Sequence, residues 1–234
     1  TCNKDYSCVK GFCPSFVTVE GGQLKKGRKV AHGDAAEDWG SLPEPQTPAL
    51  DAPYGILVTG IGGTGVVTIG QILAVAGHME GKGVSVLDMS GRAQKGGPVM
   101  SHVKIAAAPA ELHAARIGTG GAQLVIGCDL VVPGNGEALE RMQIGRTRAL
   151  VNATTAPVAE FVRNPNWQLP GSDLAHDVAA ACGADHAEFV PAAELATNLM
   201  GDSIATNMFM LGYAWQRGWV PLSAAAIERA IELN

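Results

Sequence analysis

The segment from Tyr54 to Met79, YGILVTGIGGTGVVTIGQILAVAGHM, constrains the fold more than any other part of the chain. Tyr54 to Gly60 is an apolar run of strand length. From Val66 to Met79 apolar residues recur at helical spacing, until Gly81 and Gly83 stop the pattern. Between the two lies Gly60-Ile61-Gly62-Gly63-Thr64-Gly65. Glycines in such a turn let the backbone reverse sharply and approach a phosphate, and the helix behind them offers unpaired N–H groups and the positive end of its dipole. Gly60, Gly62, Gly63 and Gly65 are therefore candidate cofactor-binding residues. Tight strand-to-helix packing is the other use the same glycines can have.

The texture persists to the end of the chain. VSVLD, ending at Asp88, reads as a second buried strand, and PVMSHVKIA as a third that faces the sheet on one side. QLVIGCDLVV, TRALVNA and AEFVPA supply three more. Helical stretches fall at NGEALERMQIG, GSDLAHDVAAACG, SIATNMFMLGYAWQRG and SAAAIERAIEL. Strands alternating with helices predict an α/β class: a three-layer α/β/α domain with a mostly parallel sheet, preceded by an irregular Cys-containing segment and a linker. Asp88 closes the strand after the glycine loop, where a dinucleotide-binding domain carries its ribose-binding acid. A stand-alone NAD-binding Rossmann enzyme is thus one reading.

A second loop follows that strand. Lys95-Gly96-Gly97, with Arg92 just before it, can hold a phosphate, clamp a partner domain, or form an ordinary solvated turn. Ser101 and His102 do not read as a catalytic pair, because no acid is placed to orient the histidine; a strand serine and a polar edge residue fit better. Met200, Met208, Met210, Trp215 and Trp219 form a stripe expected in the core or a subunit interface. Asp202, Ser203 and Asn207 bring polar groups to the start of that helix, with Asp202 as its cap.

Residues 1 to about 50 differ in character. GSLPEPQTPALDAP has four prolines and no apolar periodicity, so it reads as an extended, poorly packed linker. Ahead of it stand Cys2, Cys8 and Cys13, the last followed by Pro14. The paired C-x2-4-C knuckles of a structural zinc site are absent, whereas thiolates closed by Cys-Pro resemble iron–sulfur ligation. Cys128 and Cys182 fall in apolar surroundings and read as inert core thiols. A fourth cluster ligand is expected upstream of Thr1, and the chain is expected to be a segment of something longer.

Composition narrows the function classes. A net charge of −5 disfavours nucleic acid or an anionic membrane as partner, and the basic run KKGRK reads as a solvated loop. No stretch approaches the roughly 18 apolar residues of a membrane span. Five cysteines, three of them clustered, do not form a secreted disulfide framework, so a cytoplasmic location is expected.

Three blocks carry a family resemblance: CNKDYSCVKGFCPSFVTVEGG, GIGGTGVVTIGQILAVAGHMEGKGVSVLDMSGRAQKGGPVMSHVKI and IATNMFMLGYAWQRGWVPLS. Together they resemble the bacterial indolepyruvate ferredoxin oxidoreductases of the 2-oxoacid:ferredoxin oxidoreductase family. The resemblance implies that residues 1–22 end a thiamine-diphosphate domain, with Cys2, Cys8 and Cys13 holding a [4Fe–4S] cluster. Residues 23–53 would be a linker, and residues 54–234 a gamma-type catalytic domain that packs on the thiamine domains and helps shape the coenzyme A side of the active site. It further implies thiamine diphosphate and magnesium in the parent enzyme, ferredoxin as partner, a 2-oxoacid and coenzyme A as substrates, and a homo-oligomer. The chain lacks a GDG motif followed by an Asn pair and lacks C-x2-C-x2-C-x3-C-P runs, so alone it is not expected to bind thiamine diphosphate or decarboxylate a substrate. Many relatives carry an acid where Gln94 stands. The remaining alternative is a docking module with no cofactor of its own.

Overall fold

The structure, a computed structural model, describes residues 20–21, 42–91, 97–154 and 171–234. Within them β1 (Tyr54–Ile61) is followed by α1 (Val66–Met79), β2 (Gly83–Ser90) and β3 (Pro98–Ala106). Then come β4 (Leu124–Gly127), the short α2 (Gly136–Leu139), β5 (Arg148–Asn152), α3 (Gly171–Cys182) and β6 (Ala187–Val190). Helices α4 (Ala192–Met200), α5 (Thr206–Gln216) and α6 (Ala224–Leu233) complete the described part.

The strands form one sheet in the order β2-β3-β1-β4-β5-β6. β1, β4, β5 and β6 pair in parallel, while β3 runs antiparallel to both β1 and β2. Only β3 opposes the common direction, so the sheet is mixed but mostly parallel. Alternation along β1 separates the layers. Ile56 and Val58 pack with Ile69, Ile72 and Leu73 of α1, and with α5 and α6. Leu57 and Ile61 face the other way, towards Ala138 of α2 and Val178 and Cys182 of α3. Each of the fully buried Ile69, Ile72 and Leu73 contributes about 2 kcal/mol by leaving water. The expected α/β/α layering is present.

Several elements depart from expectation for identifiable reasons. β3 was expected to face the sheet on one side and β2 to be buried. Instead the β2–β3 hairpin folds β3 inward against β1, which buries Met100 to Val103 and leaves β2 at the edge with Asp88 exposed. NGEALERMQIG gives one helical turn, capped by Asn135, rather than a full helix. The Thr147 hydroxyl ends it: it accepts the Gln143 N–H at 2.8 Å and donates to the Ala122 carbonyl at 2.7 Å, drawing the chain into β5. α4 was not foreseen, although Pro191 before it and left-handed Gly201 after it are start and stop signals.

The proline-rich stretch has no regular secondary structure over residues 42–50 and is mostly exposed, as expected, but it is tethered at a few points. Gln216 donates to the Pro43 carbonyl at 2.8 Å, and Leu50 packs against the core. Gly218 lets the Gln46 carbonyl approach so closely that a Cβ there would lie 2.5 Å from it. Of the Met and aromatic stripe, Met210 is fully buried and Met208, Trp215 and Trp219 pack against the core. Met200 does not belong to it, being 69% exposed. Among the described residues no helix is long and apolar enough to cross a membrane.

Candidate functional site

The glycine loop turns β1 into α1, and its four glycines do different work. A Cβ on Gly60 would lie 2.7 Å from Thr64 Oγ1, 2.8 Å from Val66 Cγ2 and 3.0 Å from Cys128 Cβ, so this glycine is required by packing. Gly65 caps α1 in the left-handed region at φ 82°, and a Cβ there would collide with Asn207 Nδ2. Gly63, at φ 95°, opens to free space, and Gly62 is exposed beside it. Thr64 closes the turn, its hydroxyl and its N–H both donating to the Ile61 carbonyl at 2.7 and 3.1 Å.

Asp129, just after β4, ties this turn to the next loop. Its carboxylate accepts the Ile61 N–H at 2.6 Å and the Val131 and Val132 N–H groups at 2.7 and 2.9 Å. Burial pushes its carboxyl above the usual carboxylate range, and the three backbone donors oppose that rise without cancelling it. Asn152, at the end of β5, donates to the Cys128 carbonyl at 3.1 Å and accepts the Thr154 N–H at 3.2 Å. Three consecutive parallel strands therefore end in loops locked to one another by side chains.

Above these loops lies a cavity of about 740 Å³. It is lined by Gly63 to Gly65 and Thr68, by Asp129, Asn152 and Thr154, and by Asp202 to Ile204 and Thr206 to Met208. From β1 the chain leaves through α1 for β2, whereas β4 leads on to β5 and β6 on the other side. The crevice outside the carboxyl ends of β1 and β4 is thus a topological switch point, where open α/β sheets receive ligands. The first turns of α1 and α5 both open onto it. None of the described lining residues is Lys, Arg or His.

The described ends of the β2–β3 connection meet the glycine loop. Gly62 N–H donates to the Gly97 carbonyl at 2.8 Å, and Gly91 N–H to the Pro98 carbonyl at 3.3 Å. The base of the β2–β3 hairpin therefore touches the glycine loop, bringing Gly97 to Gly62. Lys95 and Gly96 lie outside the described residues, as do Arg92, Gln94, Cys2, Cys8, Cys13 and the basic run from Lys25 to Lys29. Among the described residues no group of three His, Cys, Asp or Glu could hold a metal ion.

Other candidates separate. Asp88 cannot serve as a ribose acid for the glycine loop, because β3 intervenes between its strand and β1 and the residue faces solvent. Ser101 and His102 point to opposite faces of β3. A Cβ on Gly70 of α1 would collide with Ser101 Oγ, while His102 Nδ1 accepts the Ile117 N–H at 3.3 Å. His102 is not a polar edge residue: β3 is interior to the sheet, and the side chain is fully buried. Burial, with Arg116 and Arg141 nearby and Glu137 opposing them, lowers its pKa to about 4. Cys128 and Cys182 are buried thiols as expected, both pushed up by burial. Asp202 caps the turn before α5, accepting the Ile204 N–H at 3.0 Å. Asp129 and Asn152 escaped sequence reasoning; the only signal was a polar residue directly following a buried strand or ending one.

Comparison with known proteins agrees with this architecture. The family model of pyruvate ferredoxin/flavodoxin oxidoreductase matches residues 55–234. Indolepyruvate oxidoreductase subunit IorB of Methanothermobacter thermautotrophicus is 26% identical over 181 residues, covering 77% of this chain and 87% of that protein. Pyruvate oxidoreductase subunit PORC of Thermotoga maritima shares the fold with a TM-score of 0.53 at 21% identity, over 78% of this chain and 85% of that one. A 2-oxoglutarate:ferredoxin oxidoreductase of Magnetococcus marinus, solved with 2-oxoglutarate, coenzyme A and succinyl-CoA, does so with a TM-score of 0.54 at 18% identity, covering 77% of this chain and 27% of its own. With the strand order, the glycine-loop crevice and the family match in agreement, the chain belongs to the pyruvate ferredoxin/flavodoxin oxidoreductase family and is a component of a 2-oxoacid oxidoreductase.

Proposed function

We propose that residues 54–234 form the gamma-type domain of an arylpyruvate-class 2-oxoacid:ferredoxin oxidoreductase and face its coenzyme A. The whole reaction would convert a 2-oxoacid and coenzyme A to an acyl-CoA and carbon dioxide, with two electrons leaving for ferredoxin. Thiamine diphosphate, held with magnesium on partner domains, supplies the electron sink for decarboxylation. The contribution of this chain is to bind and orient. The switch-point cavity carries the reading: it is large enough for part of a nucleotide, and α1 presents unpaired N–H groups behind Gly63 and Gly65. In this reading Gly60, Gly62 and Gly97, together with Lys95 and Gly96, serve phosphate binding. The similarity to an indolepyruvate oxidoreductase subunit favours an aromatic 2-oxoacid.

Residues 1–22 belong, in this reading, to the end of the thiamine domain, and residues 23–53 link the two. Cys2, Cys8 and Cys13 supply three thiolates to a [4Fe–4S] cluster on the electron path. The described cysteines, Cys128 and Cys182, are buried free thiols and are not assigned to the cluster. The enzyme acts in the cytoplasm as a homo-oligomer. The test is coenzyme A-dependent reduction of ferredoxin by the enzyme assembled with its thiamine domains, with indolepyruvate, pyruvate and 2-oxoglutarate compared. Faster turnover with indolepyruvate and an absolute need for coenzyme A are expected; reduction that ignores coenzyme A overturns the assignment.

A further inference from the structure

Two glycines inside α1 are explained by the packing around them: a Cβ on Gly70 would collide with Ser101 Oγ, and one on Gly77 would lie 2.6 Å from Val84 Cγ2. Gly212, inside α5, has no such reason. It is exposed, and nothing among the described residues lies within 4 Å of where its Cβ would be. A glycine there loosens the helix without relieving a contact. It opens instead onto a groove of about 160 Å³ between α5 and α6, lined by Met208, Leu211 and Trp215 of the first and Ile227 and Ile231 of the second. Exposed Glu228 is the one charged residue in the described lining. Ile204, in the turn that leads into α5, is 81% exposed. Residues 204, 208 and 212 stand four apart, so one row along the helix carries an exposed knob, a half-buried methionine and an open hole. The ends of the same element carry opposite charges: exposed Asp202 at its start, and at its end Arg217, which pairs with Glu188 yet is still 52% exposed.

We infer that this face docks a second copy of the chain, α5 against α5 in antiparallel fashion across a two-fold axis at Met208. Met208 stands midway between Ile204 and Gly212. The rotation therefore drops Ile204 of each copy into the groove over Gly212 of the other, one contact made twice. It also brings Asp202 of each copy to the end of α5 that carries Arg217 in the other, so the charges complement. Knob, hole and both charges lie on one helix in the sequence that self-pairing requires, which selects a copy of this chain over an unrelated partner. Asp202, Ile204, Met208 and Ile231 also line the switch-point cavity, so the second copy rims its mouth. The inference rests on the homo-oligomer reading above and names the surface through which the copies meet.

Sedimentation velocity of the full chain under reducing conditions tests it, comparing the parent with Ile204→Glu and Gly212→Gln. The parent sediments as a dimer, and each variant weakens association about a hundredfold or more, because a central contact is lost twice per dimer. Glutamine fills the hole but favours helix more than glycine does. Gly212→Gln therefore holds or raises the thermal midpoint while losing the dimer, whereas a glycine serving the packing of its own chain gives a lowered midpoint. Met208→Cys, mildly oxidised, yields a disulfide between position 208 of two copies, identified in a peptide digest; a dimer without that disulfide overturns the two-fold axis. A dimer that persists in Ile204→Glu and Gly212→Gln overturns the surface and leaves the oligomer reading standing. A parent that stays monomeric removes both and leaves the face to a different chain.

Discussion

His102 makes the stability of this domain depend on pH in a way that can be isolated. The ring is fully buried in β3, its Nδ1 accepts the Ile117 N–H, and its pKa is lowered to about 4 by burial and two neighbouring guanidinium groups. In the unfolded chain the same group titrates near the ordinary value of about 6.5. A lowered native pKa means that the unfolded state takes up the proton first, so stability falls as pH drops from about 6.5 towards 4. A gap of about 2.5 units corresponds to about 3 kcal/mol when fully developed, of which about 2 kcal/mol is lost by pH 5. That is a large share of the roughly 5–15 kcal/mol available to a typical domain. The comparison is His102→Asn, whose Oδ1 takes the place of Nδ1 and keeps the Ile117 N–H satisfied. Urea unfolding at pH 7.5, 6 and 5 should show the parent losing about 2 kcal/mol more than the variant across the range. The absolute stability of the variant will be lower throughout, because the ring leaves a void; only the slope matters. Parallel slopes would refute a buried neutral imidazole at this position.

Asp129→Asn keeps one oxygen for Val131 and Val132 but turns an NH2 towards the Ile61 N–H, and should cost about 2–3 kcal/mol in denaturant unfolding. Because burial raises the native pKa of Asp129, the parent should gain stability relative to this variant as pH falls from that raised value towards about 3.9; no relative gain in that window contradicts the assignment. Gly63→Ala incurs only backbone strain of about 1–2 kcal/mol, whereas Gly65→Ala adds the collision with Asn207 and should unfold at lower urea than Gly63→Ala. Anaerobic reconstitution with iron and sulfide should load Cys8→Ser and Cys13→Ser less than the parent and Cys182→Ser equally; equal loading in all three removes the amino-terminal cysteines as ligands.

How much of this could be read from sequence depended on how local the cause was. The turn from β1 into α1 was legible because its strand, glycines and helix are contiguous, and α6 was legible as a helix, while the role of Ser223 as its cap, accepting the Ala226 N–H at 3.2 Å, came only with the structure. The interior place of β3 was not, because strand order is decided by pairing between segments and leaves only a faint trace in a hydrophobic pattern. α2 shortened for a reason outside its own residues, the Thr147 hydroxyl. The candidate site shows the same divide. Gly60 to Gly65 announced themselves, yet Asp129 and Asn152 matter through backbone groups that only folding brings within reach. Asn207 looked like one more polar residue at a helix start until Gly65 was found against it.

The two walls of the cavity are made at different times. Gly65 emerges from the ribosome early in the domain and Asn207 near the end of the described chain. At roughly 5–20 residues per second, the glycine loop waits about 7–30 s for the segment that packs on it. Between them the chain must lay down β4, β5 and β6, which add to the sheet in parallel and need crossover connections. A growing chain therefore presents a helix start with nothing facing it, and the cavity is completed only once α5 has docked. The cavity consequently exists only after synthesis and folding of the domain have run to completion.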